Sequence, residues 1–211
     1  MRALIISDTH MQAGGRTDSF YSDEPLCELI YYHRYSPIFL MGDIIEGNHI
    51  KCESDVRIGH PDVYYMLKKY ATVYLRGNHD SDINNFFGLD VIDSLVIDDT
   101  LYIHGHQLDY RNSGPTSWIG KGATVVAKSL QFIIGKKYKA KFRGLFDNRG
   151  RYSHNNYYFS EIKSTMKDHG FNRVVMGHSH TIDRIEEYGL EYINTGHWIH
   201  GRVGDYQIVE V

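Results

Sequence analysis

Residues 2–10 read RALIISDTH, a short isoleucine-rich run that ends in a polar cluster. A continuous apolar run of this length, followed at once by polar residues, is typical of a strand that is buried on both faces. Such a strand delivers the side chains that follow it, Asp8 and His10, to a loop at its carboxyl end. We therefore predict a buried strand over Arg2–Ser7 with functional groups directly after it.

The same pattern recurs four more times along the chain. The runs and their polar ends are Ile38–Met41 before Gly42-Asp43, Ala71–Leu75 before Arg76-Gly77-Asn78-His79-Asp80, Leu101–Ile103 before His104-Gly105-His106, and Arg173–Met176 before Gly177-His178-Ser179-His180. Ligand-binding and catalytic groups of α/β proteins gather at the carboxyl ends of strands. We expect the five polar ends to converge on one site.

The segments between these runs predict the rest of the fold. A helix is expected after a cap at Ser22 with Pro25 in its first turn, and another over Asp62–Tyr70. Further strands are predicted over Val91–Ile97 (paired with Leu101–Ile103), Thr181–Tyr188, Leu190–Asn194 and Asp205–Val211. Strands that alternate with helices early and follow one another late indicate layered packing. The predicted fold class is α/β, with two facing mixed β-sheets flanked by helices.

Length and composition indicate one globular domain over residues 1–211. The apolar fraction is 42%, the charged fraction 23% and the net charge −3, which excludes a disordered chain or a general nucleic-acid coat. The only cysteines, Cys27 and Cys52, cannot build a disulfide framework, and this favours a reducing cytoplasm. Four apolar residues before Asp8 are too few for a secretory signal, and no apolar stretch reaches about 18 residues. We expect no transmembrane segment.

The side chains at the polar ends are suited to binding metal ions. Two Asp, four His and one Asn provide oxygen and nitrogen donors without a thiolate, a set that suits Mn, Fe, Zn, Ni or Mg. Seven ligands are too many for one tetrahedral ion, but they form two groups of four if one carboxylate bridges. Two divalent ions about 3.5 to 4 Å apart lower the pKa of a bound water from 15.7 toward about 7. That chemistry serves phosphoester hydrolysis.

The five polar ends together resemble the signature of the calcineurin-like metallophosphoesterases, and the resemblance spans residues 8 to 180. It implies a four-layer sandwich and two divalent ions, with manganese the first choice. It also implies that the first ion is held by Asp8, His10, Asp43 and His180, and the second by Asp43, Asn78, His104 and His178. In the family, His79 faces the scissile phosphate and protonates the leaving oxygen, while Asp80 orients its ring. A hydrogen bond from His79 to the phosphate without proton transfer is the alternative.

Within that family the chain is most similar to UDP-2,3-diacylglucosamine hydrolases. The similarity rests on the run from His104 to Asp109, the closing stretch from Tyr192 to Trp198, and a long basic insertion between His104 and His178. Those enzymes cleave a pyrophosphate in a lipid-linked nucleotide sugar and cover the acyl chain with a helical insertion. The resemblance therefore implies a phosphodiester or pyrophosphate bond as the target, with a lipid-linked substrate as one candidate.

The insertion over residues 107–160 is strongly basic. It holds ten Lys and Arg against two Asp, so the other 157 residues carry a net charge of −11. Thr116–Ile134 and Tyr152–His169 have enough apolar residues for two helices. The insertion is either a solvated addition or a cap over the site. A cap of this charge would attract anionic lipid or nucleic acid through residues 135–151, and would place a cytoplasmic protein peripherally at the membrane.

Three further residues are candidate substrate contacts. Arg76 stands where it can reach a phosphate or pair with a surface acid, His106 follows His104 in a turn, and His197 lies in a turn that can return toward the metals. The histidines outside the motifs are predicted to lie on the surface, and these are His33, His49, His60, His154, His169 and His200.

Two other functions stay open. One is a nucleic-acid or cyclic-nucleotide phosphodiesterase, whose basic and aromatic face would track a strand and whose binding would depend steeply on salt. The other is a non-enzymatic scaffold that keeps the metals for structure and binds a partner through the insertion. A complete ligand set beside an intact His79 argues against the scaffold, because a scaffold has no need of an acid there.

Overall fold

The structure is a computed structural model that describes residues 1–50, 52–108, 151–199 and 204–211. The strands are β1 (Arg2–Ile6), β2 (Ile38–Leu40), β3 (Val73–Leu75), β4 (Asn85–Phe86), β5 (Leu89–Ile92), β6 (Ser94–Ile97), β7 (Thr100–Ile103), β8 (Arg173–Met176), β9 (Asp183–Glu187), β10 (Leu190–Asn194) and β11 (Gln207–Glu210). The helices are α1 (Asp23–Tyr32), α2 (Glu53–Gly59), α3 (Pro61–Tyr70) and α4 (Arg151–His169), with a 3-10 turn at His106–Leu108.

The described strands form two mixed sheets. The first has the order β11-β1-β2-β3-β5-β4 and the second the order β6-β7-β8-β10-β9. The inner strands of each sheet run parallel, and the edge strands β11, β4, β6 and β9 are antiparallel to their neighbours. Because parallel strands end at the same edge of a sheet, the polar segments that follow β1, β2, β3, β7 and β8 come together.

Apolar contacts define the layers. Helices α1 and α3 bury Leu26, Ile30 and Leu67 in a cluster with residues of the first sheet. The facing sides of the sheets share a second cluster that includes Ile5 and Val175, and α4 packs its own buried residues with those of the second sheet. The order of helices, sheet, sheet and helix confirms the predicted α/β sandwich.

The prediction of one continuous strand over Val91–Ile97 is wrong. β5 ends in the first sheet and β6 begins in the second, so the chain passes from one sheet to the other at Asp93. An unbroken apolar run carries no sign of this crossing, because the partner of each half is set by distant residues: Val91 pairs with Tyr74, and Leu95 pairs with Tyr102.

The remaining differences are smaller. α2 and β4 are short elements that the sequence pattern does not reveal, and the strands predicted from Thr181 and Asp205 begin two residues later. The predicted helices over 62–70 and 152–169 are present as α3 and α4. The predicted helix over 116–134 and the basic segment from 135 to 150 lie outside the described residues. None of the helices in the described parts of the chain has the length and apolar character needed to cross a membrane.

Candidate metal centre

Backbone strain is concentrated at the polar ends of the strands. Several residues that were expected to bind metal adopt left-handed φ angles between 48° and 67°, a region that residues other than glycine rarely occupy. These residues are Asp8, His10, Asp43, His178 and His180. Each such conformation costs on the order of 1 kcal/mol and persists where the surrounding structure imposes it, which is common at functional sites.

Two glycines allow the loops to approach one another. A Cβ atom at Gly77 would clash with Oδ1 of Asp43, and one at Gly177 would clash with Oδ2 of Asp8. Only a residue without a side chain lets the backbone pass this close to a carboxylate. The glycines that precede Asn78 and His178 therefore allow the carboxylates of the neighbouring motifs to lie against these loops.

Asp8, His10 and His180 form a first group of possible metal ligands. Nε2 of His180 lies 3.1 Å from Oδ1 of Asp8 and 3.3 Å from Nε2 of His10. The other oxygen of Asp8 accepts a hydrogen bond from the backbone N–H of His178 at 3.0 Å, which fixes the carboxylate. The donor atoms of the three side chains lie close enough to share one cation.

Asp43, His104 and His178 form a second group. Nδ1 of His104 donates to the carbonyl oxygen of Met41 at 2.7 Å, which turns its Nε2 toward Oδ2 of Asp43 at 3.4 Å. Oδ2 of Asp43 also lies 3.7 Å from Nε2 of His10 in the first group. Asp43 thus stands between the two groups.

Three buried atoms of the predicted ligand residues have no hydrogen-bond partner among the described residues: Asn78 Oδ1, His104 Nε2 and Asp8 Oδ1. The Asp8 oxygen is close to His180, but without hydrogen-bond geometry. A buried polar atom left unsatisfied costs about 1–3 kcal/mol. All three atoms can bind a divalent cation, His104 Nε2 in place of its proton, so the residues present fit a metal.

The charges of the site also suit cations. Burial raises the pKa values of Asp8 and Asp43, but the neighbouring histidines outweigh burial and hold both pKa values below their usual range. Burial lowers the pKa of His104, yet Asp43 and Asp8 raise it to about 10. The two carboxylates therefore stay ionised in a buried position and attract positive charge.

Glu46 is a site residue that the sequence reasoning missed. Nδ1 of His79 lies 2.8 Å from its Oε1, and Nδ1 of His10 lies 3.5 Å from its Oε2. Burial raises the pKa of Glu46, but the contacts with the two histidines lower it well below the usual value, so the carboxylate is ionised. This contact directs Nε2 of His79 toward the site, 4.0 Å from Oδ2 of Asp43. The one available signal was its place in the polar end that follows β2.

The expectation that Asp80 orients the His79 ring is wrong. The Asp80 carboxylate accepts hydrogen bonds from the hydroxyl of Tyr74 at 2.8 Å and from the backbone N–H groups of Gly77 and Ile44 at 2.5 and 3.2 Å. Its burial and the charge of Asp43 raise its pKa to about 6. Asp80 therefore ties the loop after β3 to the loop after β2, and Glu46 provides the contact with His79.

The expected contact of Arg76 with a phosphate is also corrected. Its Nε pairs with Oδ1 of Asp93 at 2.7 Å, and its Nη1 donates to the carbonyl oxygens of Ser81 and Ile83 at 2.8 and 2.5 Å. Its Nη2 donates to the carbonyl oxygen of Val91 at 3.1 Å. All three guanidinium nitrogens are engaged, Nη1 with the loop after β3 and the other two with β5 and the residue that follows it, so the alternative of a pair with a surface acid is the one the structure supports.

His106 and His197 border the two ligand groups. The His197 ring stacks on His180 with 5.5 Å between centroids, and the His106 centroid lies 5.5 Å from that of His104. Burial lowers the pKa of both, that of His106 to about 4. The turn with His197 does return to the site, since the next residue, Trp198, donates its backbone N–H to the carbonyl oxygen of Asp8.

Solved structures share the fold. A dimetal phosphatase from Danio rerio aligns with a TM-score of 0.52 and 11% identity, over 99% of this chain and 91% of its own. YfcE, a phosphoesterase from E. coli, aligns with a TM-score of 0.51 and 16% identity, over 100% and 88% of the two chains. A Vps29 variant from Entamoeba histolytica aligns with a TM-score of 0.50 and 14% identity, over 100% and 86%. At these identities the likeness shows the fold alone.

Sequence comparison identifies the family. No curated protein sequence matches the chain. A family model described as calcineurin-like phosphoesterase matches residues 1–181, which include both ligand groups and His79. With the sandwich fold and the clustered histidines and aspartates, this match shows that the chain belongs to the calcineurin-like phosphoesterase family.

Proposed function

We propose that the chain is a dinuclear metal-dependent phosphoesterase that hydrolyses a phosphodiester or pyrophosphate bond. The observation that carries the proposal is the set of three buried atoms without a hydrogen-bond partner, Asp8 Oδ1, Asn78 Oδ1 and His104 Nε2, which lie at one site. A protein without a cation there would hold ionised carboxylates and unsatisfied polar atoms at a cost of several kcal/mol. Strained backbone at the ligand residues points the same way.

The residues would hold two ions in two overlapping sets. Asp8, His10, Asp43 and His180 would bind the first, and Asp43, Asn78, His104 and His178 the second. Manganese is our first choice, with Fe, Zn, Ni and Mg compatible with the same donors. When bound, such ions supply an activated water and offset the negative charge of the phosphoryl group.

The side chains of the protein would hold and deliver the proton that the leaving oxygen needs. Glu46 accepts a hydrogen bond from Nδ1–H of His79, which turns Nε2 of the ring into the site. A proton on Nε2 can then pass to the leaving oxygen. The same carboxylate stabilises the imidazolium before that transfer. Asp80 and Gly77 hold the loop that carries His79, and so keep the donor in position. His106 and His197 stay candidates for contact with the substrate.

The substrate itself stays a prediction. A lipid-linked pyrophosphate would suit a basic cap, and nucleic acid would suit the same charge, but the segment that carries it lies outside the described residues. The cap over residues 107–160, the cytoplasmic location and the peripheral membrane contact likewise stay predictions. The clustered ligand residues and the His79–Glu46 pair favour hydrolysis over the scaffold alternative.

Replacement of His79 by alanine tests the proposed chemistry. With manganese present, we expect the variant to lose about 10²- to 10⁴-fold in kcat on an alkyl phosphodiester, whose poor leaving group needs a proton. The loss should be much smaller on a p-nitrophenyl diester, whose leaving group departs unaided. Equal losses on both esters would support the alternative of a hydrogen bond to the phosphate without proton transfer.

A matched control is available on the surface. His169→Ala changes an exposed histidine at the end of α4 and should leave both activities unchanged. The absence of metal-dependent hydrolysis of any diester or pyrophosphate by the native protein would contradict the proposed function and favour the scaffold.

A further inference from the structure

A cleft opens beside His79, and Asn78 is the one proposed ligand among its described lining residues. Its volume is about 200 Å³, and it is lined by two loops, residues 47–50 and 78–83, with Asn78 and His79 in its wall. In the proposed function, His79 protonates the leaving oxygen, so a cleft that shares His79 lies where the departing group must go.

From this position we propose that the cleft binds the leaving group of the substrate, and that this group is a neutral alcohol about one ring in size. The inference rests on the proposed function and adds the chemical class of the substrate to it. It assigns the choice of leaving group to side chains outside both ligand groups, chiefly Asn48, Ile83 and Asp82.

The walls of the cleft are held rigidly. Arg76 donates to the carbonyl oxygens of Ser81 and Ile83 from behind one loop, and its pair with Asp93 anchors it there. On the other side, the backbone N–H of Gly47 donates to the carbonyl oxygen of His79 at 2.9 Å. A cleft that is already shaped binds its ligand without first paying the entropy of ordering. The arginine that was expected to touch phosphate therefore shapes the wall.

The size of the cleft limits what enters. Pockets that enclose a whole drug-sized ligand measure about 300–1,000 Å³. A cleft of about 200 Å³ holds only part of a substrate, on the scale of a sugar ring or an aromatic ring. A diacylated group does not fit there.

The lining chemistry selects a neutral group. Ile50 and Ile83 supply an apolar surface, and Asn48 and Ser81 supply hydrogen-bonding groups at its edge. Apart from His79, Asp82 is the charged side chain among the described lining residues, and it is exposed. Its carboxylate repels an anionic leaving group, by about 1 kcal/mol, or roughly fivefold, at a separation of about 4 Å in water. The cleft thus favours a phosphodiester, which releases an alcohol, over a pyrophosphate, which releases a phosphate.

Two esters of matched leaving-group acidity test the inference. Methyl p-nitrophenyl phosphate releases a phenol whose ring carries no charged substituent. Its m-carboxylated counterpart releases a phenol that carries an additional negative charge on the carboxylate. We expect the native protein to prefer the first by about fivefold or more in kcat/KM. Asp82→Asn should reduce that ratio several-fold, and Asn48→Trp, which fills the cleft, should bring it close to one.

Control variants and a second measurement make the result decisive. Asp168→Asn and Tyr32→Trp change exposed residues far along the chain and should leave the ratio unchanged. Saturation-transfer NMR with phenol, which is neutral at neutral pH, and m-hydroxybenzoate, which is anionic, measures the same selectivity without turnover. A native protein that binds phenol but hydrolyses nothing contradicts the proposed function alone. Equal binding of phenol and m-hydroxybenzoate, or a kcat/KM ratio that both cleft variants leave unchanged, overturns the inference.

Discussion

Glu46 holds the imidazole of His79 through Oε1 and lies beside His10 through Oε2. It is 2% exposed and ionised, and it touches the predicted acid as well as one of the predicted ligands. A carboxylate in this position fixes the ring of His79 and favours its charged form. The contact makes Glu46 the residue on which proton delivery depends.

Removal of Glu46 should therefore impair the acid more than the substrate site. We expect Glu46→Ala to lower kcat on an alkyl diester by about 10- to 100-fold, a part of the roughly 10²- to 10⁴-fold that a positioned general acid contributes. Glu46→Gln keeps an oxygen acceptor and should recover part of the loss. Steady-state kinetics on alkyl and p-nitrophenyl diesters provide the measurement.

The comparison of the two esters distinguishes the loss of proton delivery by His79 from general damage to the active site. A purely structural effect would lower both activities equally, whereas loss of proton delivery spares the p-nitrophenyl ester. Glu28→Ala, at an exposed position of α1, is the control and should change neither. Identical kinetics for Glu46→Ala and the native protein would show that proton delivery does not depend on Glu46.

At the scale of elements, His60 joins two helices to the loop that leaves the site. It was expected on the surface, but it is 3% exposed and sits at the start of α3. Its Nε2 lies 2.9 Å from Asp18, its Nδ1 lies 2.9 Å from Asp23 of α1, and Asp18 in turn accepts the backbone N–H groups of Gln12, Gly14 and Phe20. One buried imidazole thus anchors the segment that begins at His10.

The pKa of His60 gives this anchor a defined pH dependence. Burial lowers the pKa, but Asp18 and Asp23 outweigh burial and raise it above 6.5. The stability it contributes is therefore full below the unfolded pKa of about 6.5 and is lost as the pH rises through the folded pKa. The pKa of Asp18 is lowered by the same contacts, so its share is present above about pH 4 and is lost in acid.

Urea unfolding across pH measures the contribution. We expect His60→Gln to reduce the free energy of unfolding by about 1–3 kcal/mol near pH 5.5, and by less near pH 9. His169→Gln, at an exposed position, should stay within about 0.5 kcal/mol of the native protein at both. A deficit that grows with pH would show that the imidazole is neutral in the folded state.

At the scale of the whole molecule, the sequence predicts what depends on local pattern. Apolar runs that end in polar residues located β1, β2, β3, β7 and β8, and their parallel arrangement brings Asp8, Asp43 and His178 together. The crossing at Asp93 was missed because it depends on which sheet offers a partner. Glu46 was missed, and the roles of Asp80 and Arg76 were misjudged, for a related reason: the partner of a charged side chain lies in a distant segment, and spacing along the chain does not reveal it.

The central claim is that this chain binds two divalent ions side by side, and elemental analysis tests it most directly. Protein supplemented with manganese and then desalted should hold about two ions per chain, and Asp43→Ala should lose at least one of them because Asp43 stands between both ligand groups. Asp168→Asn should keep both. Native protein that is folded yet retains no stoichiometric metal under these conditions would contradict the account.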